Sequence, residues 1–260
     1  MLTLLILIDG LRPDALAQDR YPHLAALQSR SSYSLRAQSV MPSITLPCHT
    51  SIFHSVPPER HGILSNIWTP LARPLPGLFE VVAAAGKTAA FFYNWEVLRD
   101  IGRPGSLTMS YCYNTSEGDM QSDGVLVEAA MAYLQASPPD FMFLYLGTLD
   151  SMGHAAGWMS QHYLAHLHYV DAQVGRILAA LPPRHRVLLQ SDHGGHDRNH
   201  GTDAPEDMTI PWMLSGEGIK AGYELPGPVS LLDTAPTLAQ CLGLAPHPKW
   251  EGRAVTEAFV

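Results

Sequence analysis

Leu2-Thr-Leu-Leu-Ile-Leu-Ile8-Asp9-Gly10 opens the chain with an apolar run that stops at an aspartate and a glycine. Such a run, without polar alternation, fits a central strand of a parallel sheet covered on both faces. Its carboxyl end would then open onto a site. No basic segment precedes it and no small-residue cleavage site follows, so it reads as a buried strand and not as a signal peptide.

Two later runs repeat the arrangement. Residues 141–146 lead into Gly147-Thr-Leu-Asp150, and residues 186–190 lead into Ser191-Asp192-His193. Further strands are predicted at 88–93 and 210–214. Helical spacing covers 14–29 (Leu16, Leu24, Leu27), 79–85 closed by Gly86, 119–136 and 231–242, with a short helix at 49–55. The longest helix spans 159–181, with Tyr163, Leu167, Val170, Val174, Ile177 and Leu178 on one stripe. Residues 42–47 read as a loop, and 69–77 and 102–118 as turn-rich loops near the site. Alternating strands and helices predict one α/β domain over residues 1–260, a mostly parallel sheet with helices on both faces.

Composition agrees. Hydrophobic residues make up 46% and charged residues 15%, which suits a packed globule and excludes disorder. The net charge is -8 and no long basic run occurs, so neither a nucleic-acid polymer nor an anionic membrane is the expected partner. No apolar run approaches the roughly 20 residues of a membrane span. Cys48, Cys112 and Cys241 are odd in number and widely spaced, which gives no disulfide framework and points to a cytoplasmic protein.

In open parallel sheets, ligands bind beyond the carboxyl ends of the strands. Asp9, Asp150 and Asp192 all fall there, with His154, His193 and His200 at short offsets. Taken singly, a strand-end aspartate is more often a cap and a lone histidine more often surface or core. The repetition changes the balance, because carboxylate and imidazole together suit zinc, and six such groups suffice for two ions. Thr45 precedes the short helix. Taken alone, Thr45 or Ser43 reads as a helix cap; beside metal it reads as an activated hydroxyl.

The ordered set Asp9-Gly10, Pro42-Ser-Ile-Thr45-Leu-Pro47, Pro58-Glu-Arg-His-Gly-Ile63 with Asn66, Asp150-Ser-Met-Gly-His154 and Ser191-Asp-His-Gly194 resembles the alkaline-phosphatase superfamily. Within it, the type I phosphodiesterase/nucleotide pyrophosphatase group is the most similar. Leu232-Asp-Thr-Ala-Pro-Thr237 with Gly252-Arg253 also resembles that group. The resemblance implies an alkaline-phosphatase-like three-layer sandwich. It implies one divalent metal on Asp9, Asp192 and His193 with Thr45 bound to it, and another on Asp150, His154 and a late histidine. His200 matches that histidine better than His196. Zinc is the expected metal and manganese the alternative.

The resemblance further implies that Asn66 donates to a phosphate oxygen, while His49 and His61 are structural. Leu46 stands where nucleotide-binding members carry a stacking aromatic. Tyr145 matches a second wall position, which Trp68 or Trp95 could supplement. The sulfatase signature is absent. The expected reaction is in-line attack by Thr45 on a small-molecule phosphodiester or pyrophosphate, through a phospho-threonine intermediate and with net retention. A monoester is less expected because no arginine is evidently placed for its extra charge, Arg12 and Arg198 being the candidates. A phosphonate hydrolase or phosphomonoesterase is the enzymatic alternative. A non-catalytic metal- or ligand-binding protein on this fold, or a cysteine hydrolase using Cys48 and His49, are the others.

Overall fold

In a computed structural model of the protein, which describes residues 1–18, 21–70, 75–114 and 119–260, Leu2–Ile8 forms β1 and all seven residues are buried. The elements that follow are α1 (Pro22–Ser29), β2 (Ser31–Gln38), α2 (Thr45–His54), α3 (Pro58–His61), α4 (Leu78–Ala84), β3 (Ala89–Tyr93) and β4 (Met109–Cys112). Then come α5 (Ser122–Ala136), β5 (Phe141–Leu146), α6 (Thr148–Ala156), α7 (Gln161–Ala179) and β6 (His185–Gln190). The chain closes with α8 (Pro205–Met208), β7 (Thr209–Gly216), β8 (Tyr223–Glu224) and α9 (Thr234–Cys241).

The strands form one sheet in the order β4-β3-β5-β1-β6-β7-β2-β8. β1 is central and pairs in parallel with β5 and β6. Only the pairings of β7 with β6 and β2 are antiparallel. Successive side chains of β1 point to opposite faces. Leu5 and Leu7 join a core with Phe53 of α2, Phe79 of α4 and Leu238 of α9. Leu4, Ile6 and Ile8 join a second core with Leu24 of α1, Leu126 of α5 and Leu167 of α7. Helices therefore cover both faces of a mostly parallel sheet, as predicted. No helix among the described residues is long and apolar enough to cross a membrane. All three cysteines are free thiols.

Several boundaries differ from the sequence reading, each for a local reason. Residues 14–29 are not one helix: a 3-10 segment, Pro13–Gln18, precedes α1, which starts at Pro22. α2 starts at Thr45 and not after Pro47. Pro47 lies in the first turn, where its missing N–H would have had no intrahelical partner. Residues 231–242 divide into a 3-10 turn, Leu231–Asp233, and α9. β2 is a strand that periodicity misses, because Ser31, Ser32, Ser34, Arg36 and Gln38 dilute its apolar signal. β4 falls inside the turn-rich 102–118 segment. Residues 71–74 and 115–118 of the two predicted loops lie outside the described residues.

On the α2 face, Phe53 stacks on Phe79 at 4.7 Å, and Phe143 lies 4.9 Å from Phe53 and 4.8 Å from Phe91. Phe143→Ala should lower unfolding free energy by about 3–5 kcal/mol. Urea denaturation of both proteins, loaded with the same metal, checks this; a loss below about 1 kcal/mol would show that the cluster does not carry the core.

Candidate metal centre and active site

Parallel pairing aligns the ends of β1, β5 and β6. Ile8 is in register with Leu146, and Leu7 with both Tyr145 and Gln190. The residues that leave these strands therefore stand side by side. Gly10 turns the chain at φ +69°. A Cβ there would lie 3.2 Å from the Asp150 Cα, so glycine permits the close approach to α6. Trp158 Nε1 and Tyr163 Oη donate to the Gly10 carbonyl at 2.9 and 2.8 Å. Asp150 lies in the first turn of α6 and His154 in the last, four residues apart on one face.

The acidic side chains converge. His193 Nε2 is 3.3 Å from Asp9 Oδ1 and 3.4 Å from Asp192 Oδ2. Asp150 Oδ2 is 3.5 Å from His154 Nε2, and its Oδ1 is 3.7 Å from His200 Nε2. Asp9 Oδ1, Asp150 Oδ1 and Asp192 Oδ2 are buried and accept no hydrogen bond among the described residues. Asp150, His154 and His200 make one set with metal-ligand spacing; Asp9, Asp150 and His193 make another. Asp150 thus reaches both groups, a bridging position that sequence order did not disclose.

The histidines are oriented for the same task. Nδ1 of His193 donates to the Gly194 carbonyl at 2.8 Å, that of His154 to Arg198 at 2.9 Å, and that of His200 to Ser43 at 2.8 Å. With the proton on Nδ1, each Nε2 carries a lone pair, and each Nε2 points to the carboxylates. The His193 and His200 rings stack at 3.8 Å. Orphaned carboxylate oxygens and imidazole lone pairs meeting in one volume form a donor set that suits a divalent cation.

Burial first, then the neighbouring carboxylates, pushes Asp150 up to about 7 and Asp192 up to about 8. The same causes hold Asp9 well above the usual carboxylate range. Burial draws His200 down to about 3, which keeps it neutral.

Thr45 is the first residue of α2, and its hydroxyl donates to His193 Nε2 at 3.2 Å. Asn66 Oδ1 accepts from Leu46 N at 3.0 Å, which turns its Nδ2 toward the cleft that both Asn66 and Thr45 line. The Leu46 amide is thereby occupied and Pro47 has none, so the helix start offers fewer free N–H groups than expected. Tyr145 lines the cleft, but its hydroxyl donates to Asp9 Oδ2 at 2.5 Å, so it holds a carboxylate as well as forming a wall. The cleft measures about 360 Å³.

Other predicted residues fall elsewhere. Leu46 is fully buried in the α2-face core and does not line the cleft, because α2 starts at Thr45 and turns the next side chain inward. His196 Nδ1 donates to Asp207 at 2.7 Å, outside both ligand sets. The Arg12 guanidinium binds Asp14 and the Gly195 carbonyl. No lysine or arginine among the described residues lines the cleft. Cys48 is buried, which raises its thiol, and burial lowers His49 to about 3 while its Nδ1 donates to the Thr45 carbonyl. That pair does not form a thiol and its base. His61 Nδ1 accepts from Ile63 N and its Nε2 bonds Ser51, a structural arrangement.

Asp123 and Trp158 were not legible as site residues. Asp123 is fully buried and accepts from Thr148 Oγ1 at 2.6 Å, Gly147 N at 3.1 Å and Thr148 N at 3.4 Å. It anchors the start of the helix that carries Asp150 and His154. An aspartate inside the helix predicted over 119–136 gives no such signal in sequence.

A model of the type I phosphodiesterase/nucleotide pyrophosphatase family matches residues 3–209. The rat ectonucleotide pyrophosphatase/phosphodiesterase family member 1 is 26% identical over 224 residues, covering 74% of this chain and 24% of that protein. The chain spans about a quarter of the length of the first such relatives. Murine ectonucleotide pyrophosphatase/phosphodiesterase 5, solved as an inactive variant in complex with AMP, superposes with a TM-score of 0.83 at 16% identity, covering 100% of both chains. The phosphonate monoester hydrolase of Agrobacterium radiobacter gives 0.79 at 16% identity, over 99% of this chain and 77% of that one. The three-layer fold is alkaline-phosphatase-like.

The carboxylates dictate a pH response. A carboxyl with a raised folded pKa keeps its proton where the unfolded chain has lost it, so stability falls as pH rises through that window, from about 4 to 7 for Asp150 and 8 for Asp192. His49, His61 and His200, with lowered pKa values, act oppositely, but only below about 6.5. Chelated protein should therefore lose stability between pH 7 and 8, by up to about 1.4 kcal/mol per pH unit for each carboxyl still titrating. Zinc or manganese should flatten the slope. Denaturant melts across that interval check this, and a flat chelated profile would refute the crowding.

Proposed function

The chain belongs to the type I phosphodiesterase/nucleotide pyrophosphatase family, and on that footing we propose that it is a metal-dependent hydrolase of phosphodiester or pyrophosphate bonds with Thr45 as nucleophile. One observation carries the reading: two sets with metal-ligand spacing, Asp9, Asp150 and His193, and Asp150, His154 and His200, meet beside the Thr45 hydroxyl, with the orphaned Asp192 Oδ2 3.4 Å from His193 Nε2.

Asp9, Asp192, His193 and Thr45 would hold one divalent ion, and Asp150, His154 and His200 the other, with zinc suiting this donor set and manganese next. Bound there, the ions supply Lewis-acid charge and lower the pKa of a coordinated hydroxyl. Thr45 Oγ1 gives up its proton to solvent, attacks phosphorus in line with the departing oxygen of an alcohol or a phosphate, and becomes a phospho-threonine. An alcohol leaves with a proton from solvent, a phosphate as its anion. Water then displaces Thr45, so one water is consumed and the configuration at phosphorus is retained. Asn66 Nδ2 donates to a non-bridging oxygen. The cleft has no described lysine or arginine to meet a second phosphate charge, which favours a diester over a monoester.

The named activities of the relatives support this class: pyrophosphatase/phosphodiesterase for the rat protein, AMP binding for the murine variant. Purified protein should bind about two ions per chain and cleave bis-p-nitrophenyl phosphate faster than p-nitrophenyl phosphate or a phosphonate monoester, with chelation abolishing turnover. Thr45→Ala should lower kcat on the order of 10³-fold or more while keeping its metal. Undiminished turnover in that variant would remove Thr45 from the mechanism; dominant monoester or phosphonate cleavage would move the substrate class.

A further inference from the structure

The wall of the cleft that faces the ligand cluster has its own chemistry. Asn94 lines it, one residue beyond β3, with Trp95, Asp119 and Ser122 nearby. Asn94 Nδ2 donates to Asp123 Oδ1 at 2.8 Å and to Ser122 Oγ at 2.9 Å, so both of its N–H bonds are taken up inside the protein. Asp123 fixes that orientation. As a carboxylate it offers acceptors only, and the Gly147 and Thr148 donors already hold it in place. The amide cannot flip without setting its carbonyl oxygen against the carboxylate.

Asn94 Oδ1 therefore faces the other way, toward Gly147. A Cβ on Gly147 would stand 2.9 Å from Asn94 Oδ1 and 2.8 Å from Tyr145 Cε1. Gly147 has φ -97°, a conformation open to any residue, so backbone geometry does not call for glycine there. What the missing side chain permits is the close packing of the Asn94 amide oxygen and the Tyr145 ring against this backbone at the cleft wall. No hydrogen bond among the described residues reaches that oxygen.

We infer that Asn94 Oδ1 forms a specificity subsite for an alcohol arm of the substrate, one that carries a hydrogen-bond donor (a hydroxyl or an ammonium) a few bonds from the ester oxygen. This rests on the hydrolase reading above. An arm without a donor would cover the amide oxygen and leave it unpaired, and a site built around a polar partner discriminates strongly on that ground. Asp119 on the same wall adds negative charge, and the described lining supplies no cation to offset it, so an arm bearing a further phosphate or carboxylate is disfavoured, which narrows the proposed class from pyrophosphates to diesters.

Symmetric diesters test this without ambiguity about which arm departs. Diglyceryl, bis(2-aminoethyl) and dipropyl phosphate would be compared on the metal-loaded protein, with kcat/KM from phosphorus NMR. Calorimetry on metal-loaded Thr45→Ala protein would give Kd. At least one donor-bearing diester should surpass dipropyl phosphate about 10-fold or more, and which one does separates a neutral hydroxyl from an ammonium. In Asn94→Ala that ratio should fall to near one. Gly147→Ala, whose methyl would crowd the Asn94 oxygen and the Tyr145 ring, should lower it as well, and because the ratio is taken within one variant a general loss of rate does not mimic that fall, so the test survives if Asn94→Ala folds poorly. A ratio near one in the unmodified protein, or one that persists in both variants, overturns the subsite. Preferential binding without turnover would keep the subsite and refute the hydrolase reading; turnover without preference would do the reverse.

Discussion

Asp9 Oδ1, Asp150 Oδ1 and Asp192 Oδ2 meet at the end of a central parallel sheet, buried and without hydrogen-bond donors among the described residues. Two unit charges 4 Å apart repel by about 4 kcal/mol at an effective dielectric near 20, and here three groups share the volume. Either protons or cations must relieve that repulsion, and the raised pKa values of all three show the protein's response when only protons are available. Everything else around the site can be understood as keeping these carboxylates from moving apart.

Three kinds of restraint achieve this. Strand register fixes the exits of β1, β5 and β6. Trp158 and Tyr163 grip the Gly10 carbonyl next to Asp9, and Trp158 also packs edge-on against His154 at 5.1 Å and near His200 at 5.8 Å. The loop that delivers His200 is tied down by Asp207, which accepts from His196 Nδ1, Thr202 N and Thr202 Oγ1. His196 thus serves the neighbouring histidine by anchoring its loop, a division of labour that two histidines four residues apart do not reveal in sequence.

The chemistry of the centre was legible because it follows regular structure. Leu2–Ile8, Phe141–Leu146 and the run ending at Gln190 are dominated by apolar residues without strict polar alternation, and an aspartate shortly beyond each end comes to one edge of the sheet. Thr45 was legible as a residue but not as the start of α2, since Pro47 argues against a helix unless it falls in the first turn. β2 was missed because its serines, although buried, carry no hydrophobic signal. Leu46 was misplaced for a related reason. Adjacency to Thr45 in sequence says nothing about the 100° that separates neighbours on a helix, and that rotation takes Leu46 into the core.

Of the cleft wall, Tyr145 and Trp95 were legible and the polar part was not, and its physics explains why. Asp123 comes from α5, Asn94 from the end of β3, and Gly147 and Thr148 from the start of α6; no periodicity or motif links them. His166 of α7 approaches the same Thr148 hydroxyl at 2.7 Å, adding a fourth element. One buried carboxylate therefore sets two things together: the direction of the Asn94 amide and the entry of α6, which carries Asp150 and His154. A side chain that altered the Asp123 bonds would tilt the helix that carries Asp150 and His154 and the Asn94 wall of the cleft at once. The Asn94 wall and the Asp150–His154 helix are mechanically joined through Gly147 and Thr148, so this wall can vary only in ways that leave the Asp123 carboxylate satisfied.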